Sequence, residues 1–180
     1  LRPVQLREAE PAGEVSLLEL TRAYRALARG GVFGAVRMRL DSQAGQERQL
    51  FTPEVAFMLS DILSDPAARA PGFGRDSVLA LPFDCAVKTG TSRAYRDNWT
   101  VGYTTRYTVG VWAGHTRGDS MQDVSGVAGA GPIFREVMLH LHPSPPPPFQ
   151  APRGLKRAVV CVETGLLAGP HCPGTLPEWN

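Results

Sequence analysis

Lysine is nearly absent from this chain: of 19 basic residues only Lys88 and Lys156 are lysines, and the rest are arginine. No serine has a lysine three residues on, so no S-x-x-K nucleophile pair stands in the sequence. Asparagine is as scarce. Asn98 and Asn180 follow Arg96-Asp97 and Glu178-Trp179, which excludes an S-x-N triplet as well. There is no G-x-x-x-x-G-K-[ST] loop to cradle a phosphate. No apolar run approaches the ~18 residues that a membrane-crossing helix needs, and no signal-peptide pattern follows the first residue, which is Leu rather than Met. The sequence reads as a stretch cut from a longer one.

Cysteine is sparse too. Cys85 lies in an apolar stretch, whereas Cys161 and Cys172 lie close together in a Pro/Gly-rich tail. Two readings of that tail stay open. A Cys161 to Cys172 disulfide would imply an oxidising compartment. The rival is a zinc site drawing on His171, His140 and His142, against which stands the lack of paired C-x2-4-C and H-x3-5-H spacing, so no metal and no cofactor is expected.

What is present suffices for a folded domain: 180 residues, 43% apolar and 20% charged. The net charge is +2 and the arginines are scattered singly rather than gathered into a stripe, which argues against a nucleic-acid surface. Ser16-Leu17-Leu18-Glu19 is a capping box, and the apolar stripe of Leu17, Leu20, Tyr24 and Leu27 predicts a helix from Leu17 to Arg29, ended by Gly30-Gly31. Val36, Met38 and Leu40 alternate with Arg37 and Arg39, predicting a strand; Asp41 to Gly45 is a turn and Gln49 to Phe51 a second strand. Thr52-Pro53 opens another helix, running to Asp65-Pro66, and residues 70–74 read as a loop. Asn98 to Thr105 and Arg106 to Gly114, rich in Trp, Tyr, Thr and Val, read as strands. Ile133 to His142 is a last helix with Phe134, Val137, Met138 and Leu141 as its packing face. The run Pro143 to Pro148 must be extended, so a domain ends near His142; a short strand at Ala158 to Val162 follows.

The chemistry concentrates in Cys85-Ala86-Val87-Lys88-Thr89-Gly90-Thr91-Ser92, which reads as a strand adjacent to the two that follow. Side chains on a strand alternate faces, so Lys88 projects one way and Thr89 the other, while Gly90 leaves room for a ligand backbone. A positioned ammonium stabilises an anion, and threonine hydroxyls donate hydrogen bonds to a carboxylate. Asp97 and Arg96 are placed to pair across the next turn. Trp99, Tyr103 and Trp112 read as core or sheet-face residues.

Taken together, Leu81-Pro82-Phe83, Val87-Lys88-Thr89-Gly90-Thr91-Ser92, Arg96-Asp97-Asn98-Trp99-Thr100-Val101-Gly102-Tyr103 and Val109-Gly110-Val111-Trp112-Ala113-Gly114 resemble the C-terminal half of the transpeptidase domain of class A penicillin-binding proteins, of the 1C type. Residues 125–132 resemble the family's glycine-rich approach to its last helix, and the Cys161 to Cys172 tail its link into an extra C-terminal domain. The resemblance implies an α+β fold in which an antiparallel sheet packs with helices, as a partial penicillin-binding, β-lactamase-like domain. It divides the chain into residues 1–142 of that domain, a Pro-rich linker at 143–154, and the start of an extension at 155–180.

It also implies a function: a piece of a serine-type D,D-transpeptidase that cross-links peptidoglycan stem peptides, inactive on its own because the nucleophile is not in it. Lys88 and Thr91 are the implied catalytic residues, with the Thr91 N–H as an oxyanion donor. Thr89, Gly90, Thr91 and Ser92 are the implied substrate-binding residues, and Cys161 with Cys172 the implied disulfide. The implied ligands are D-Ala-D-Ala stem peptides and β-lactams, in a periplasmic setting, with a membrane anchor upstream and other cell-wall synthesis proteins as partners. The alternative from another class is a non-catalytic scaffold or binding module of cell-wall assembly.

Overall fold

The computed structural model describes residues 15–39, 41, 45–74, 76–115, 117, 119–121 and 125–179. Helix α1 (Leu17–Ala28) starts at the capping box: Ser16 Oγ accepts from the Glu19 N–H at 3.2 Å, and Glu19 Oε2 accepts from the Ser16 N–H at 2.9 Å. Gly30 and Gly31 end it at φ +65° and +89°, a region that glycine enters without a Cβ penalty, and the Gly31 N–H returns to the Ala26 carbonyl at 2.8 Å.

A small hairpin follows, but not where the alternating pattern predicts it. Strand β1 is Val32–Gly34, pairing antiparallel with β2 (Glu47–Gln49) in the register Val32↔Gln49 and Gly34↔Glu47. The strand expected at residues 36–40 is absent over its described part, since Val36 and Met38 are exposed and have no face to bury. Phe33 is the residue that finds a partner, beneath the Arg22 guanidinium at 4.8 Å. Leu40 and most of the predicted turn, residues 42–44, lie outside the described residues.

Helix α2 (Pro53–Ser64) carries proline at its first turn and the Thr52 hydroxyl as its cap. Helix α3 (Pro66–Phe73) replaces the loop expected at residues 70–74. Asp65 Oδ1 accepts from the Ala67 N–H at 2.7 Å, Pro66 needs no donor at that position, and Gly74 closes the helix at φ +77°. The Pro-Gly signal thus marks the end of a short helix rather than a loop.

Strands β3 (Ala86–Thr91), β4 (Asp97–Tyr103) and β5 (Thr108–Gly114) form an antiparallel three-stranded sheet in the order β3-β4-β5, with β3 at one edge. Two glycines on opposite faces admit the covering helices. A Cβ at Gly110 would strike Thr21 and Leu17 of α1, and one at Gly102 would lie 2.7 Å from the Phe134 ring. Phe134 belongs to α4 (Ala130–Leu141), which begins three residues before the expected Ile133. Phe134 and Met138 are fully buried there beside Leu79, Cys85 and Val87, and burial of such side chains stabilises by about 1.5–3 kcal/mol each. Val137, expected on that face, is 38% exposed because the face is centred on Ala130, Phe134 and Met138.

The segment after α4 folds back on the sheet. Thr105 Oγ1 donates to the Pro147 carbonyl at 2.9 Å, and Phe149 meets Tyr103 edge to face at 5.7 Å. Strand β6 (Arg157–Cys161) then pairs with β7 (Thr175–Trp179), a strand the sequence does not announce because Pro177 interrupts it. Cys161 and Cys172 are joined with a Cα–Cα distance of 5.7 Å, and Trp179 stands against Phe57 of α2 at 5.3 Å.

Candidate active site

The edge position of β3 decides which of its backbone groups are free. The Ser92 N–H donates to the Asp97 carbonyl at 2.9 Å, and hydrogen-bonded pairs alternate along an antiparallel ladder whose register is Lys88↔Val101 and Gly90↔Trp99. Ala86, Lys88 and Gly90 therefore turn their N–H and C=O groups to β4. Val87, Thr89 and Thr91 turn theirs to the open edge, where no strand pairs with them among the described residues. Lys88 agrees with this geometry, because its Nζ donates to the outward Thr89 carbonyl at 2.7 Å. Among the described residues no carboxylate pairs with Lys88, so the ammonium keeps two N–H donors for an anion.

Lys88, Thr89, Gly90 and Ser92 border one cleft of about 880 Å³ between the start of α1 and the sheet. Its walls are mostly apolar. Tyr24 and Leu20 contribute from α1, Trp99 and Val101 from β4, and Trp112 from β5. Trp99 and Trp112 face each other across the ladder, ring centroids 6.4 Å apart, and the Trp112 Nε1–H donates to Asp97 Oδ1 at 2.9 Å. That bond takes the place of the expected Arg96–Asp97 pairing: Asp97 is partly buried beside the indole, whereas Arg96 is exposed.

Thr91 stands apart from the other motif residues. It does not border the cleft; on the α4 side of the sheet its Oγ1 accepts from the Gly126 N–H at 2.9 Å. Thr100, fully buried, donates from Oγ1 to the Gly126 carbonyl at 3.2 Å. The sequence offers no signal for this clamp beyond the small residues at 125–131. Ser92 acts as a cap for the turn, its Oγ accepting from the Asp97 N–H at 2.8 Å.

Cys85, next to the motif strand, is no nucleophile. Burial pushes its thiol up to about 12, so the thiolate is withheld at neutral pH.

The family model for the penicillin-binding protein transpeptidase domain matches residues 12–139. The chain belongs to this family. Within it, the chain is 33% identical over 151 residues to penicillin-binding protein 1C of Escherichia coli (strain K12), covering 83% of this chain and 19% of that protein. It is 28% identical over 132 residues to penicillin-binding protein 1A of Clostridium perfringens (strain ATCC 13124), covering 71% of this chain and 15% of that protein. The chain thus spans less than a fifth of either curated relative. Among solved structures it shares its fold with penicillin-binding protein 1A of Haemophilus influenzae, with a TM-score of 0.70, 16% identity, and coverage of 92% of this chain and 32% of that one. Its described residues have the α+β, antiparallel-sheet layout of that domain.

Proposed function

We propose that this chain supplies the K-T-G strand of a serine-type D,D-transpeptidase site whose nucleophile lies in sequence upstream of it. The observation that supports the reading is the open edge of β3, which offers the outward N–H of Thr91 and the Lys88 ammonium, paired with no carboxylate among the described residues, to whatever lies alongside. In the reaction proposed, a serine oxygen attacks the carbonyl carbon of a D-Ala-D-Ala amide and D-alanine leaves with a proton. The acyl group then passes from the serine to an amine of a neighbouring stem peptide. Lys88 holds negative charge near the attacked centre, and the Thr91 N–H donates to the oxyanion, a contribution that fixed donors make without reorganising. Thr89, Gly90 and Ser92 line the approach of the substrate. β-Lactams acylate the same serine.

The same reading divides the chain at residues 142 and 155 and sets the site on the periplasmic face of a membrane-anchored protein. Intact mass spectrometry after incubation with a β-lactam tests it on two proteins, this chain alone and the longer product of the gene. One acyl adduct on the longer protein, lost when its S-x-x-K serine is replaced, with none on this chain, is the expected result. A folded longer protein that takes no adduct points instead to a non-catalytic scaffold of cell-wall assembly.

A further inference from the structure

Gly126 is held on both sides by threonines of the sheet. Its N–H donates to Thr91 Oγ1 at 2.9 Å, and its carbonyl accepts from Thr100 Oγ1 at 3.2 Å. No other residue type fits, since a Cβ there would lie 2.6 Å from the Gly90 carbonyl oxygen and 2.9 Å from that of Trp99. Those two atoms are ladder backbone and cannot swing away. The 125–131 segment is therefore pinned against β3 and β4 at this one residue, whose carbonyl also accepts from the Gly131 N–H at 3.0 Å.

The clamp has a consequence for the Thr91 hydroxyl. A hydroxyl has one proton and two lone pairs, and here an acceptor position is filled by the Gly126 N–H. Among the described residues the Thr91 proton has no acceptor, and the residue is exposed on the edge strand. Accepting one bond fixes the oxygen and polarises the O–H for donating another. We propose that Thr100 and Gly126 are positioning residues that aim the Thr91 hydroxyl proton at the carboxylate of the acyl donor or β-lactam beside β3. This rests on the transpeptidase reading and names the residues that prepare that site's carboxylate donor. Neither residue touches the ligand.

The test compares acylation of the longer protein by benzylpenicillin and by its methyl ester, which lacks the anionic carboxylate. Thr100→Val keeps the side-chain shape and removes only the donor. It is expected to slow the free acid about tenfold while changing the ester by less than about twofold, the effect of one weakened hydrogen bond to a charged group. Thr100→Ser is expected to restore the acid rate. Hydrogen exchange of the Gly126 amide, read from its peptide, should accelerate in Thr100→Val and in Thr91→Val. Equal slowing of acid and ester, or an unchanged acid rate, overturns the inference and assigns the clamp to folding alone. A wild-type protein that neither reagent acylates removes the transpeptidase reading itself, and the inference with it.

Discussion

The hydroxyls of Ser60 and Tyr103 meet at 2.9 Å inside the protein, joining α2 to the central strand β4. Ser60 Oγ also donates to the Ala56 carbonyl at 2.7 Å, which spends its only proton, so Tyr103 is the donor of the pair. The two truncations are therefore unequal. Ser60→Ala strands a buried phenol proton and is expected to cost about 1–3 kcal/mol, whereas Tyr103→Phe removes the donor and leaves only a spare lone pair, costing about 1 kcal/mol. Urea unfolding of both variants and of the double variant checks this, and the double variant should fall short of the sum because the residues share one bond.

The same phenol sets an alkaline limit. Burial pushes the Tyr103 hydroxyl up from its ordinary value of 10 to about 12. An unfolded tyrosine loses its proton first, so the native state binds the more protons between these values. The contribution is intact below about pH 10 and is lost as pH rises toward about 12. Melting temperature against pH should fall more steeply in the wild type than in Tyr103→Phe across that window.

At the acidic end the capping box acts in the opposite sense. Hydrogen bonds from Ser16, first from its side chain and then from its backbone N–H, hold the Glu19 carboxyl below the ordinary carboxylate range. A depressed carboxyl stabilises the fold above its unfolded value and loses that contribution as pH falls through the folded one. Helix α1 should therefore loosen on acidification, and less so in Glu19→Gln, as read by amide exchange along α1.

Thiol counting separates the three cysteines. Only Cys85 is free, and it is buried with its thiol pushed up to about 12, so native protein should take up no alkylating reagent. In denaturant without reductant one label should enter, and three after reduction. Labelling of native Cys85 would contradict the packing of Leu79, Val87, Phe134 and Met138 around it.

The two sheet glycines differ in what stands against them. Gly102→Ala places a methyl 2.5 Å from the Ala86 carbonyl oxygen, a backbone atom, and should destabilise by about 1–3 kcal/mol. Gly110→Ala meets first the Thr21 and Leu17 side chains of α1, and Thr21 can turn aside by giving up its bond to the Leu17 carbonyl, so the cost should be smaller and should appear as a looser α1. Thermal unfolding of the two variants measures the order.

The parts of the fold readable in the sequence are those where a local rule has no competitor. The Ser16 to Glu19 box, Thr52-Pro53, and the β-rich run from Val87 to Gly114 carry their own geometry, and the elements form within a few residues of expectation. The pattern at residues 36–40 fails because alternation marks a strand only if one face has something to cover it, and Val36 and Met38 have nothing. Strand β7 and helix α3 escape because proline reads as a breaker, although α3 runs from Pro66 through Pro71 and the β6 ladder accommodates Pro177. At the site, Lys88, Thr89, Gly90 and Ser92 meet at one cleft by adjacency in sequence. The Thr100–Gly126–Thr91 clamp joins residues from three elements by bonds that no spacing encodes.

Lys88 is proposed above as chemistry rather than strand surface, and the acylation rate of the longer protein separates the two. Stopped-flow measurement with a fluorescent penicillin should show Lys88→Ala slowed on the order of 100-fold or more with its melting temperature unchanged, as expected for a lost charge stabiliser. A folded Lys88→Ala protein acylated at the wild-type rate would contradict a catalytic role for Lys88.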